Sequence, residues 1–242
     1  MSEWFVHNPG LVFLVYGMTY IIIATAILSH NRKNSEYSLN GVLWLFAAYA
    51  LVHAPADFID MWYVLTGHQW IEAKFIGSLL TYVSYAFLFE FGRRVMMLTI
   101  TYSIMRLWYL LPILLGAVIL TALVSLDFGT NLDVLIGYFV RFPGGIMAGV
   151  GIIIYYRNLY RPLKVVSMGK YFYGFGISLI LWALFCGLVR TQGSFFPSTI
   201  LNTDSFFQYT GFPVFIFRSL CGLVSAWSVM GILNVFNQEK QA

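Results

Sequence analysis

The sequence predicts an all-α polytopic membrane protein: a seven-transmembrane-helix bundle with the N-terminus outside and the C-terminus cytoplasmic. Three observations predict it. The 242 residues are 60% hydrophobic and only 10% charged, with a mean hydropathy of +0.77, whereas soluble domains are about a quarter charged. Seven apolar runs reach the length needed to span a bilayer. Lys and Arg gather at one set of their ends.

The runs are 10–29, 41–65, 73–99, 107–126, 133–156, 170–190 and 212–236. The first follows MSEWFVHNPG, which has no basic leader and no small-residue cleavage site, so it reads as a retained span. The connector HNRKNSEYSLN leads to the second, which holds YALVHAPADFIDMW. The third ends on SYAFLFEFGRRVM, where Glu90 lies three and four residues before Arg93 and Arg94, the spacing of a local helix pair. In the fifth, RFPGGIMAGVG, Pro143 and Gly144 predict a kink. Gly145 and Gly149 there have the small-xxx-small spacing of close helix packing. One long loop, RTQGSFFPSTILNTDSFFQYTGFP, separates the sixth and seventh. No repeat, low-complexity tract or second soluble domain interrupts the pattern, so residues 1–242 read as a single domain.

Orientation follows from the basic residues. Arg32, Lys33, Arg93, Arg94, Arg106, Arg157, Arg161, Lys164, Lys170 and Lys240, ten of the fourteen, fall at one set of ends. The opposite ends carry Lys74 and Arg190, with Arg141 and Arg218 just inside spans. By the positive-inside rule the first set is cytoplasmic.

The second span carries three ionisable residues where lipid is expected. His53 lies roughly 18 Å from the inner edge at 1.5 Å per residue. Asp57 and Asp60 follow at i+4 and i+7 on the same face, and Pro55 removes a backbone donor between them. Arg141 and Arg218 enter the same outer-half layer, roughly 9–12 Å below the boundary. Charges in hydrocarbon are costly and mark functional sites by default. A packing network of salt bridges competes with a ligand or cofactor pocket. Haem b suits a mid-membrane histidine as iron ligand with arginines on its propionates, with Trp62, Tyr138 and Phe142 lining the ring, and either His7 or His68 as a second axial ligand or a five-coordinate iron. A divalent metal on His53 and Asp57 and a quinone or small anion on the arginines stay open beside it. Cys186 and Cys221 have no metal or redox spacing and read as small buried hydrophobes.

These segments together resemble the membrane-embedded N-terminal signal-input module of bacterial diguanylate cyclases and sensor histidine kinases. LVHAPADFIDMW is similar to that family's histidine-then-acidic stretch, SYAFLFEFGRRVM to its Phe-Glu-Phe-Gly-Arg-Arg run, and FFPSTILNTDSFFQYTGFPVFIFRSL to its outer loop and last span, with Pro197, Asn202, Gly211, Pro213 and Arg218. The resemblance implies that His53, Asp57, Asn202 and Arg218 belong to a sensing layer. It implies a multi-pass protein of the bacterial inner (cytoplasmic) membrane, a small-molecule or gas ligand, and a signal passed through the last helix. It further implies a cytoplasmic PAS, GGDEF or histidine-kinase effector, absent from this chain, and a homodimer in the full-length form. Any catalysis would lie in that effector, and no nucleic-acid partner is expected.

Other classes fit less well. A small transporter or channel using the same charged cluster as its substrate site is the alternative, but no inverted repeat is visible. An integral membrane enzyme lacks HExxH, GxSxG or multi-histidine motifs. A retinal protein needs a lysine in the last span, and none precedes Lys240.

Overall fold

The computed structural model describes residues 7–30, 37–68, 70–100, 109–125, 127–159 and 168–239. Arg32, Lys33, Arg106, Arg161, Lys164 and Lys240 lie outside them. The described residues form helices and no β-strand. We number the helices α1 (Pro9–Ser29), α2 (Leu43–Thr66), α3 (Ile71–Thr99), α4 (Leu110–Leu123), α5 (Phe128–Asn158), α6 (Gly169–Leu188), α7 (Thr203–Thr210) and α8 (Val214–Glu239). A helix lies over each of the seven apolar runs. Five of them, α1, α3, α5, α6 and α8, are long and apolar enough to cross a membrane. The other two fall short of that measure: α2 has 24 residues but carries His53, Asp57 and Asp60, and α4 has 14, about 21 Å against a hydrocarbon core of about 30 Å.

Local chemistry sets the helix ends. Pro9 stands in the first turn of α1, where its missing N–H costs nothing. Gly67 takes φ +67° and closes α2, its N–H meeting the Tyr63 carbonyl at 2.9 Å. Asp127 caps α5, its carboxylate accepting from the Thr130 N–H.

Six of the helices close into a ring in the order α1, α2, α3, α5, α6, α8 and back to α1. Within it α3 and α5 run parallel. Their C-terminal ends meet where Asn158 Nδ2 donates to the Thr99 carbonyl at 3.5 Å. A parallel pair needs a return crossing, and α4 makes it outside the ring, resting on α5 and α3. At the same end Ser38 and the Leu39 N–H donate to Tyr155 Oη at 3.4 Å, and Tyr37 stacks on Phe236 with ring centres 4.4 Å apart. Arg93, Arg94, Arg157 and Lys170 therefore share one end of the ring. Glu90 holds Arg93 and Arg94 there at 2.6–2.7 Å, the local pair expected from their spacing.

The centre of the ring is aromatic. Phe46, Phe91 and Phe175, from three helices, meet with centroids 5.0–6.5 Å apart. Above them lie Tyr49, Tyr20, Tyr16 and Trp182, all buried.

The fifth span is irregular just before Pro143. Pro143 has no N–H to return to the preceding turn. The turn Gly137–Arg141 widens instead, and the Phe142 N–H reaches the Gly137 carbonyl five residues back. A second widened turn, Leu184–Leu188, ends α6, and the two pack against each other.

Helix α5 is wedged between α3 and α6 by direct backbone approach. A Cβ on Gly92 would sit 2.5 Å from the Gly144 carbonyl oxygen, and one on Gly149 2.5 Å from that of Gly176. Gly92→Ala should therefore lower stability by about 1–3 kcal/mol through overpacking. Gly116→Ala, with open space at its Cβ, should be neutral or slightly stabilising. Denaturant unfolding in one detergent, followed by circular dichroism, compares the two.

Candidate functional site

The candidate site lies where the two widened turns meet. When α6 breaks at Leu184–Leu188, its last carbonyls lose their in-helix partners, and its negative dipole end points into the bundle. Arginines take their place. Arg141 of α5 donates through Nη1 to the Cys186 carbonyl at 2.9 Å. Arg218 of α8 donates through Nε to the Phe185 carbonyl at 3.1 Å and through Nη2 to that of Val189 at 2.7 Å. Arg190, just past the break, reaches the Cys186 carbonyl at 3.5 Å.

Asp133, two helical turns before Arg141, supplies the countercharge. It pairs with Arg190 and stands 3.6 Å from Arg141 Nη2. The Arg141 guanidinium also lies over the Tyr85 ring, 3.8 Å from its centre. Arg141 is 1% exposed, yet its Nε has no hydrogen-bond partner among the described residues.

Below this layer sits His53, 4% exposed. Its Nδ1 is 2.8 Å from Ser84 Oγ on α3. Its Nε2 is 3.8 Å from Asp57 Oδ1, beyond hydrogen-bond reach. Asp57 is buried, and its Oδ2 has no partner among the described residues. The rings of Tyr20, Tyr49 and Tyr85 surround the imidazole at 4.9–5.4 Å.

A directed hydrogen-bond chain runs beside it. Trp182 Nε1, which can only donate, bonds Tyr16 Oη at 2.5 Å. Tyr20 donates to the same oxygen at 2.8 Å and lies 2.8 Å from Tyr49 Oη. With two donors aimed at it, Tyr16 has its own proton left for Cys186 Sγ at 3.8 Å. The order of donation is then Tyr49 to Tyr20 to Tyr16 to Cys186.

Four of the seven residues expected in a site, His53, Asp57, Arg141 and Arg218, come together in or just below this layer. Asp60 is exposed at its own surface but lies within electrostatic reach of Asp133, Arg190 and Arg218, at the edge of the layer. The other two are placed otherwise. Trp62 is 51% exposed on the outside of α2. Asn202 is buried but committed to local structure. Its Oδ1 accepts from the Asp204 and Ser205 N–H groups at 3.1 and 2.9 Å, and its Nδ2 donates to the Ser198 carbonyl at 3.0 Å. It starts α7 with a capping box.

Sequence reading missed Asp133, Arg190, Ser84 and the tyrosine chain. Part of the chain was visible in the spacing. Tyr49, His53 and Asp57 are four residues apart on one helix face, as are Tyr16 and Tyr20.

The surroundings of His53 do not fit a haem. Both ring nitrogens face protein groups, tyrosine rings pack against its sides, and the adjoining cavity, bounded by Tyr20, Tyr49, Trp182 and Ser225, measures about 10 Å³, room for about one water. The arginines meant for propionates hold backbone carbonyls instead. Nor do three or more His, Cys, Asp or Glu gather in a metal-holding group among the described residues. Compared with known protein families, curated proteins and solved structures, the chain matches none.

Two outcomes follow from this geometry. Arg141→Met leaves Asp133 its Arg190 partner but takes the nearest donor from the Cys186 carbonyl, and should cost about 1–3 kcal/mol. Arg218→Ala leaves two carbonyls unfilled and should cost about 1–3 kcal/mol for each one that stays dry. Unfolding curves in detergent measure both. Absorption spectra of protein from haem-supplied cells, oxidised and reduced, should show no Soret band, and a band lost in His53→Ala would reverse that conclusion.

Proposed function

We propose that this chain is a membrane-embedded signal-input module of a bacterial inner membrane. In this reading seven helices cross the bilayer, with the N-terminus outside and the basic end of the ring cytoplasmic. The stimulus, a small molecule or gas, acts on the layer around His53, Asp57, Arg141 and Arg218. Helix α8 carries the response to a cytoplasmic effector of the PAS, GGDEF or histidine-kinase kind, and the full-length protein works as a homodimer.

One observation carries the proposal: the buried polar layer is bonded to the last helix through the broken end of α6. His53 packs on Tyr20, Tyr20 bonds Tyr16, and Tyr16 accepts from Trp182 of α6. The last carbonyls of α6 are held by Arg218 of α8, and Ser178 of α6 lies 2.8 Å from Ser225 of α8. A change at His53 therefore has a route to α8, by ring contact to Tyr20 and by hydrogen bonds from there on. The unsatisfied atoms support a functional reading as well. A layer built only for packing would be expected to fill Asp57 Oδ2 and Arg141 Nε, because open polar atoms inside a membrane are expensive.

Spin labels at Thr25→Cys and Asn237→Cys, both exposed, report the spacing of α1 and α8 at the basic end in reconstituted protein. Cys186 and Cys221 are buried and stay in place. His53→Gln and Trp182→Phe should each move the inter-label distance by roughly 1–2 Å, the scale of helix shifts in switching proteins. Distances identical to the parent in both variants, with helical content kept, would leave the layer a packing device and sink the proposal.

A further inference from the structure

A pocket of about 310 Å³ lies outside the ring, between α4 and the first half of α5. Leu114, Val118 and Thr121 of α4, Leu135 and Phe139 of α5, and Phe195 of the long loop line it. The volume is at the lower end of ligand-site sizes, about 300–1,000 Å³. Its chemistry is one-sided. Among the described lining residues the only side-chain polar group, Thr121 Oγ1, already donates to the Ala117 carbonyl at 2.8 Å. An occupant therefore finds no polar side-chain partner left open, which excludes anions, sugars and headgroups and leaves an apolar chain.

The surface around the pocket says where that chain comes from. Helix α4 buries only Val118 and Ala122. Ile113, Leu120 and Leu123 of the same helix are 60–67% exposed, so the pocket is continuous with the apolar face that a membrane protein turns to lipid. A chain entering sideways from the bilayer desolvates nothing polar. We infer that this pocket is a binding site for one acyl chain of a bilayer phospholipid, held between α4 and α5. Phe139 belongs to the widened turn that carries Arg141, so the chain props the segment that positions that arginine. The site stands independently of the signalling reading.

The test uses the full chain in phosphatidylcholine vesicles doped with a phosphatidylcholine whose acyl chain bears a diazirine. After irradiation, adducts are mapped by peptide mass spectrometry. Labelling of the 114–121 and 135–139 peptides should exceed that of the lipid-facing stretch 75–83 of α3 severalfold. Ala117→Trp, which fills the pocket from a side chain of its lining, should cut it at least threefold while labelling of α3 stays unchanged. Native mass spectrometry of the unaltered protein needs no variant and should show one retained phospholipid. Labelling equal to that of α3, or no retained lipid, overturns the inference. A dimer mass without lipid that Ala117→Trp abolishes overturns it too and gives the pocket to a second copy of the chain.

Discussion

Much of this molecule depends on how the end of one helix is satisfied. Helix α6 ends in a widened turn at Leu184–Leu188, beside buried Cys186 and Val189. Each unfilled carbonyl there would cost about 1–3 kcal/mol. The protein answers with guanidinium groups, from Arg141 on α5, Arg218 on α8 and Arg190 just past the break. Guanidinium suits the task because it offers five donors in a rigid plane and stays charged, and its charge complements the negative end of the helix dipole. Through these bonds the end of α6 ties together α5 and α8, and Asp133 offsets one of the three positive charges they bring in.

That junction needs irregular backbone on both sides. In α5 the widened turn follows from Pro143, whose missing N–H the regular ladder cannot accommodate. The widened turn is where Arg141 sits. In α6 the widened turn carries the carbonyls of Phe185 and Cys186. The contacts of Gly92 with Gly144 and of Gly149 with Gly176 bring α5 close enough to its neighbours for Arg141 to reach across. Replacing any of these glycines would push the helix away from the bonds that complete the site. Packing and polar chemistry are thus one arrangement here, and within it Asp57 Oδ2, Arg141 Nε and Arg190 Nε are left without a partner among the described residues.

Much of the helical layout could be read directly. A helix covers each apolar run, with ends within a few residues, because apolar length and flanking polar residues act locally. The basic asymmetry is also present in the described ends, through Arg93, Arg94, Arg157 and Lys170. The site was legible only in outline. His53, Asp57, Arg141 and Arg218 stood out because ionisable residues are conspicuous in apolar runs. Their partners did not stand out. Tyr16, Tyr20, Tyr49 and Trp182 are ordinary membrane-helix residues in a chain that is 19% aromatic. Asn202 looked like a ligand residue within the loop that resembles a sensor family, whereas its side chain caps α7, a role that also places Asn in such a motif.

What the sequence by itself determined was the helical class, the seven helix positions and a set of ionisable residues inside apolar runs. Those follow from composition and spacing along one chain. Only the tertiary structure decided which helices neighbour one another, that α4 stands outside the ring, and that the arginines meet backbone carbonyls. The physical reason is that a guanidinium takes any acceptor within reach. A backbone carbonyl freed by a widened turn leaves no mark in the sequence, since every residue carries one.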